Sequence, residues 1–440
     1  MMLPSTTTTT TSAEKIHPGH FVWIMSGDTS DIDGYVIISL LPKIIAGFAR
    51  MGITLVVAIV VPERIACANL ASTDAMEHDV ELGKEIVRRC GDIMAYLAGG
   101  SKNIHLVRGI MNKHNIFTAK MQFSELEHFV RALEKVFEER NQTLPKVHES
   151  VWLSIEGLAA LIKDEDTFAV MLDGNGSLGY LVRLSEILGE DGMCTLGAKM
   201  KASGVPMPIM AGVLGEVPTK TMVMEGRNPR ATMNALYAPQ DMKLLIKLAI
   251  KYSAPLLFVT NNACVSTVKF DSIDKVLEYL SIDPVDAKVD KTGKVTTAEV
   301  ISVLANGWYT WLKDTVCNGK AHFVLYDVLC FWMTIGFMEN HFKPKSESES
   351  GLLKYEERNL YSGVVPNLEE ILRSGTPLER NKALGNIAMH VLVTPGEEAM
   401  PTVVANTVGT ERVDGALVYC ACAQDATAIK AWLAKMAKMA

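Results

Sequence analysis

The chain lacks the features that would place it in several large classes of protein. Its formal net charge is −7, and its Lys and Arg residues do not form the clusters that a nucleic-acid-binding surface requires. It shows no apolar run long enough to cross a bilayer and no apolar stretch of the secretory type at its amino end. We therefore expect no nucleic-acid partner, no membrane association and a cytoplasmic location.

Cysteine pairs with metal-binding spacing are also missing. Eight cysteines are scattered along the 440 residues. The close pair Cys420 and Cys422 lies in an apolar, strand-like run without the second pair that a zinc site would need. Scattered thiols in a large chain are typical of a reducing compartment, and a composition that is 48% hydrophobic predicts a large core. The threonine-rich residues 1–19 are interpreted as a disordered tail before a single domain at 20–440.

Strand-like and helix-like patterns alternate through that domain. The apolar runs 21–25, 104–107, 168–172, 221–224, 256–260 and 388–393 predict strands, as does 53–61, whose uninterrupted β-branched residues favour a strand covered on both faces. Helices are predicted at 35–48, 81–97, 124–140, 153–163 and 240–252. This order predicts an open α/β fold, with a mainly parallel sheet, flanking helices and a ligand crevice at the carboxyl ends of the strands. The charged segments 271–297 and 342–358 are predicted to be inserted, exposed loops.

Three aspartates follow the first predicted strand, in the turn SGDTSDIDG. They are Asp28, Asp31 and Asp33. Aspartate is common in turns and at helix starts for local hydrogen-bonding reasons, so the pattern alone is weak. Its position at the carboxyl end of the first strand favours a second interpretation, because converging carboxylates there would make a calcium site.

Motif-like segments then occur in a fixed order over residues 21–338. They are VWIMSGDTSDIDGYVIISLL, GITLVVAIV, GDIMAYLAGGSKNIHLVRGI, DGNGSLGYLVRL, MVMEGRNPRATMNALYAPQDM and AHFVLYDVLCFW. In that order they resemble segments of the calcium-dependent, inosine-uridine-preferring nucleoside hydrolase family, and AQDATAIKAWLAK is similar to the closing helix of that family. Chance rarely reproduces such an order. The resemblance implies a nucleoside hydrolase-like fold.

The resemblance also implies a set of site residues. Asp28, Asp33, the main-chain carbonyl of Ser177 and Asp327 match calcium ligands, and Asp28 also matches the catalytic base. An alternative alignment of the first turn, shifted by two residues with a gap, places Asp28 on an earlier aspartate of the motif. Sugar-binding asparagines match Asn228 and Asn234, and Tyr326, which replaces a histidine, is expected to serve as a proton donor to a leaving group. Taken singly, Asn234 and Asp327 are also common turn and cap residues.

Several polar positions of the family are not kept. Ile32 stands for a ribose-binding aspartate, Ile59 for an asparagine and Thr232 for a glutamate. Each lost charge-assisted hydrogen bond removes about 1.5–3 kcal/mol of binding. The sequence therefore favours a protein that has lost ordinary ribohydrolase activity and acts as a binding or structural component, as a homo-oligomer or in a larger assembly. The alternative is an active calcium-dependent N-glycosidic hydrolase with altered specificity for a nucleoside or related small ligand.

Overall fold

The computed structural model describes most of the first 342 residues and short pieces beyond them. The described ranges are 19–26, 32–62, 88–109, 130–148, 151–174, 179–210, 239–259, 264, 269–282, 293–311, 323–342, 364–365, 389–392, 402–405, 418–421, 430 and 433–434.

A parallel sheet of five strands lies at the centre of the fold. Its strands are β1 (His20–Ser26), β2 (Thr54–Pro62), β3 (Ile104–Gly109), β4 (Trp152–Leu153) and β5 (Thr167–Leu172). They are ordered β4-β3-β2-β1-β5, and all four pairings are parallel. Strand order therefore reverses between β1 and β5. In open α/β sheets a ligand crevice forms at such a reversal, beyond the carboxyl ends of the strands.

A second sheet continues from the β5 side. It contains β6 (Met207–Met210), β7 (Leu256–Val259), β10 (Val364–Val365) and β13 (Val418–Ala421), ordered β10-β13-β7-β6. Gly174 forms a parallel bridge with Ile209, and its N–H donates to the carbonyl of Pro208 at 2.8 Å, which joins the two sheets. Two small antiparallel pairs lie apart, β8 (Lys269–Phe270) with β9 (Phe323–Val324) and β11 (Met389–Leu392) with β12 (Thr402–Ala405).

Helices of the described segments pack in two groups. They are α1 (Ile32–Arg50), α2 (88–97), α3 (130–139), α4 (Ile155–Lys163), α5 (Leu181–Ser203), α6 (Pro239–Tyr252), α7 (Ile273–Tyr279), α8 (Thr297–Trp311) and α9 (Tyr326–Phe342). Helix α1 packs against β2, α8 and α9, whereas α5 packs against β5, α4 and α6. Right-handed crossovers from strands on either side of the reversal place such helices on opposite faces of a sheet.

Helix α1 departs from one expectation. With a mean hydropathy of 1.6 it is long and apolar enough to span a membrane by length and composition, although no such run was predicted from the sequence. Two thirds of that stretch (67%) is buried inside the protein. Its apolar residues pack in the core with β2, α8 and α9. A helix covered in this way by its neighbours needs apolar residues around most of its surface.

The expected α/β class and parallel sheet are confirmed, with differences in short elements. Trp152 and Leu153 form the edge strand β4 instead of opening a helix, because Ser154 caps α4 and accepts a hydrogen bond from the N–H of Gly157. Strand β6 was not expected, since four residues that include Pro208 show no clear periodicity. Strand β11 pairs in its own antiparallel hairpin rather than in either larger sheet.

The segment 271–297 also differs from the loop that its charge predicted. It contains helix α7, which begins after Ser272, whose side chain accepts from the N–H of Lys275. Val276 and Leu277 of this helix are buried against the core. A capping serine and apolar residues at helical spacing therefore outweigh the surrounding charges. The predicted strand 221–224 lies outside the described residues, as does most of the segment 342–358.

Candidate functional site

The carboxyl ends of β1 and β5 are joined side by side. The N–H of Asp173 donates to the carbonyl of Ile24 at 2.9 Å, and the hydroxyl of Ser26 donates to the carbonyl of Asp173 at 3.2 Å. These bonds lie where strand order reverses, which is the place where an α/β sheet is expected to bind a ligand. Ser26 and Asp173 were not predicted as site residues. Their positions, each at the end of a buried strand, are the signal that could have identified them.

Helix α9 runs across β1 towards the same end of the sheet. Phe342, its last residue, packs edge-on against Phe21 near the start of β1, with ring centroids 5.3 Å apart. Phe331 stacks on Trp23 with centroids 5.4 Å apart. The end of α9 thus contacts the start of β1, and an earlier part of α9 contacts a later residue of β1. Tyr326 and Asp327, at the start of α9, therefore lie towards the carboxyl end of β1.

Asp33 and Asp327 are brought together there. The Oδ2 atom of Asp33, in the first turn of α1, accepts a hydrogen bond of 2.9 Å from the N–H of Asp327, in the first turn of α9. Both aspartates are buried. Asp33 thus satisfies one of the N–H groups that the start of α9 leaves without a partner inside its own helix, and the helix dipole stabilises its negative charge. This bond joins two residues that lie 294 positions apart in the chain.

Cys264 lies beside these aspartates and was not predicted. Its thiol donates to the carbonyl of Tyr326 at 3.8 Å. Burial raises the pKa of this thiol well above its ordinary value, and the nearby charges of Asp327 and Asp33 raise it further. A raised pKa favours the neutral thiol over the reactive thiolate. It follows β7, so its place beyond another strand end was the available signal.

A further buried acid lies on the α5 side of the crevice. Asp241, in the first turn of α6, accepts from the N–H of Val182 at 3.0 Å, and the N–H of Leu181 also hydrogen-bonds to it. Burial raises the pKa of Asp241 to about 6 against these backbone hydrogen bonds, which lower it. The neighbouring Tyr180 is fully buried, and its pKa is raised by burial and then by the charges of Asp173 and Asp241.

The predicted site residues fall into two sets. Asp33, Tyr326 and Asp327 meet at the start of α9. Asp28, Ser177, Asn228 and Asn234 lie outside the described residues. Within the described ranges, no three His, Cys, Asp or Glu side chains are grouped as metal ligands. The contact between Asp33 and Asp327 runs from a carboxylate to a backbone N–H group. Both side chains carry hard oxygen donors, which is the ligand chemistry that calcium requires.

Two positions expected to have lost polar sugar contacts are apolar core positions. Ile32 begins α1 and is 2% exposed, and Ile59 lies in β2 and is 0% exposed. Both belong to the main hydrophobic core. Ile59 is paired between Met25 of β1 and Leu106 of β3. An aspartate or asparagine at either position would therefore be buried among apolar side chains.

Comparison with known proteins gives structural matches only. No protein-family model and no curated protein matches the chain. Among solved structures it is similar to a purine-preferring ribonucleoside hydrolase from Gardnerella vaginalis, with 11% identity over 95% of this chain and 100% of that one and a TM-score of 0.48. It is also similar to the type III effector protein XopQ complexed with adenosine diphosphate ribose, with 12% identity over 96% and 93% of the chains and a TM-score of 0.45.

A third solved structure is similar to a comparable extent. It is the effector protein XOO4466, with 13% identity over 96% of this chain and 94% of that one and a TM-score of 0.41. Because the identity is this low, any inference about activity depends on the residues of the chain itself.

Proposed function

We propose that this chain is a nucleoside hydrolase-like protein that binds calcium at the crevice but has lost ordinary ribohydrolase activity. It would then act as a cytoplasmic binding or structural component, as a homo-oligomer or within a larger assembly. The observation that carries the proposal is the burial of Ile32 and Ile59 in the hydrophobic core, because the motif resemblance assigns polar sugar-binding groups to both positions.

The metal half of the proposed site has support from the contact between Asp33 and Asp327. A calcium site needs converging oxygen ligands, and buried carboxylates need a cation or hydrogen-bond donors to offset their charge. In the proposed site these two residues would be joined by Asp28 and the Ser177 carbonyl. When bound, calcium would supply a positive charge that holds hydroxyl groups and acidifies a water molecule.

Apolar residues at two positions weaken sugar binding in the proposed site. Isoleucine at positions 32 and 59 offers no hydrogen bond to a ribose hydroxyl, and both side chains are buried in the hydrophobic core. Each missing charge-assisted hydrogen bond costs about 1.5–3 kcal/mol, or roughly one to two orders of magnitude in rate where it acts in the transition state. Losses at several positions together account for an inactive site.

A nucleoside panel tests the loss of activity. The purified protein is incubated with inosine, uridine, adenosine and cytidine in excess calcium, and free ribose is measured. We expect the wild type to release no more ribose than Asp28→Ala does. Asp191→Ala, which removes an exposed carboxylate on α5, is the matched control. Ribose release that is robust in the wild type and in Asp191→Ala but absent from Asp28→Ala would overturn the proposal.

An active hydrolase of altered specificity is the second candidate, and Tyr326 favours it. The side chain of Tyr326 is half-buried at the start of α9, next to Asp327. A phenol at that point can donate a proton to a departing base. This candidate predicts that Tyr326→Phe abolishes turnover of its substrate without changing the calcium affinity. Loss of both properties together, or of neither, would exclude Tyr326 as the proton donor.

A further inference from the structure

Helix α5 begins without a capping side chain of its own. The residue before its first turn is Tyr180, which makes no side-chain cap hydrogen bond. The carboxylate of Asp241 supplies that cap from the first turn of α6, by accepting from the N–H groups of Val182 and Leu181. Asp241 is 2% exposed. A single buried side chain therefore ties together the starts of two helices that also pack against each other.

Backbone N–H groups stabilise the negative charge of the Asp241 carboxylate. Two ionisable groups lie near this junction in the described residues: Tyr180, at the start of α5, whose pKa is raised by the charge of Asp241, and Asp173, at the end of β5, which acts on the same tyrosine. Both are acidic, so neither offsets the charge of Asp241. Its partners are the N–H groups of Leu181 and Val182 and its own N–H, and the positive end of α5 adds to their effect. Burial nevertheless outweighs these hydrogen bonds, so the protonated form is favoured relative to water.

We propose that Asp241 is a proton-controlled positioning residue that latches the start of α5 to α6, and that this latch loosens when its carboxyl group ionises. Opening the junction exposes Asp241 to water, where a carboxyl group ionises more easily. The closed junction therefore binds the proton more tightly than the open one does, and acid favours the closed state.

The direction and size of the effect follow from the two pKa values. The closed junction holds the pKa of Asp241 at about 6, against 3.8 for an aspartate in water. Closure is therefore favoured fully below about pH 4, and this preference is lost as the pH rises to about 6. Between pH 5 and pH 7 the opening equilibrium should increase about tenfold.

Hydrogen exchange at the start of α5 tests this latch. Exchange of the Leu181 and Val182 amides is followed by mass spectrometry at pH 5 and pH 7 and corrected for the intrinsic effect of pH. We expect protection about tenfold lower at pH 7 in the wild type, and no such change in Asp241→Asn, which keeps an acceptor but does not ionise. The Gly157 amide is the control, since it is capped by the non-ionising Ser154.

Three results would overturn the proposal. Protection at the start of α5 that is equal at pH 5 and pH 7 would show that the junction does not sense the proton. A tenfold change that persists in Asp241→Asn would assign the effect to another group. An equal change at Gly157 would show a general loss of stability. The experiment needs neither calcium nor a nucleoside, so its outcome is independent of the proposed function.

Discussion

Asp33 has a structural role in this fold, and we propose a metal-binding role for the same side chain. Its hydrogen bond to the N–H of Asp327 caps α9, and a cap is a sufficient reason for a buried aspartate at this point. The same bond places the Asp33 carboxylate beside the backbone of Asp327, the second acidic residue of the proposed calcium site. Substitutions that keep the cap but remove the charge separate these roles.

The capping role predicts different stabilities for two variants without calcium. Asp33→Ala removes the acceptor for the Asp327 N–H and should lower the free energy of unfolding by about 1 kcal/mol or more. Asp33→Asn keeps an acceptor of similar shape and should cost less. Urea denaturation in a calcium chelator measures both. Equal losses in the two variants would contradict the capping role.

Ile59 should behave as a core residue. Ile59→Asn buries an amide group among apolar side chains and should lower the free energy of unfolding by about 3 kcal/mol or more. Ile59→Val removes one methylene group and should cost only about 1 kcal/mol. Chemical denaturation of the two variants measures the difference. A stable Ile59→Asn protein would mean that this position faces the crevice, and would revive the hydrolase interpretation.

The hydroxyl group of Tyr180 is fully buried and has no hydrogen-bond partner among the residues that the structure describes. A buried, unsatisfied hydroxyl opposes folding by about 1–3 kcal/mol. Tyr180→Phe should therefore be neutral or raise the melting temperature. A clear loss of stability in this variant would show that the hydroxyl group binds a partner, such as a water molecule or a ligand.

Site residues could be predicted only where a motif or a strand end marked them. Asp33 and Asp327 were predicted because each lies in a segment that resembles a known motif. The structure shows a hydrogen bond between them, and their calcium-binding role stays a prediction. Cys264 was missed although it follows a strand end. Asp241 was missed because its role comes from a contact with Val182, 59 positions away in the chain. A local pattern carries no information about such partners.

Among the elements, long ones were predictable and short ones were not. The uninterrupted β-branched run of β2 and the amphipathic pattern of α6 specify their own conformation. Strand β4 has two residues and β6 has four, which is too few to show a period, so their conformation is decided by pairing with β3 and β7. Helix α7 was not predicted because only one of its faces is buried, so it contributes few apolar residues to a charged segment.

The contact between α5 and α6 predicts a test at this scale. A Cβ atom added at Gly197 of α5 would overlap the ring of Tyr252 in α6, including the Cγ atom at the root of that side chain. The root of a side chain cannot move away easily, so Gly197→Ala should cost about 1–3 kcal/mol despite the higher helix propensity of alanine.

A double-mutant cycle assigns that cost to the helix contact. In a Tyr252→Ala background the added methyl group has space, so Gly197→Ala should become neutral or stabilising. The free energies of unfolding of the two single variants and the double variant give the coupling. Additive effects would place the cost of Gly197→Ala within α5 itself.

For the whole molecule, sheet topology decides where chemistry can occur. Reversal of strand order between β1 and β5 brings Ser26, Asp173, Asp33 and Asp327 to one region from separate parts of the chain. The alternation of strands and helices predicted the class of fold and the edge of the sheet that holds the crevice. It could not predict the second sheet or its join through Gly174, because these depend on long-range pairing.

We propose that calcium binding persists where sugar chemistry has been lost. The most direct test is the thermal midpoint of the wild type and of Asp33→Asn over a series of calcium concentrations. Wild-type stability should increase with the logarithm of calcium, by about 2.7 kcal/mol at roughly a hundredfold excess over the dissociation constant. Asp33→Asn keeps the cap of α9 but removes the charge, so this variant should show little or none of the increase. A wild-type midpoint that does not respond to calcium would contradict the claim, and would leave these aspartates as helix caps.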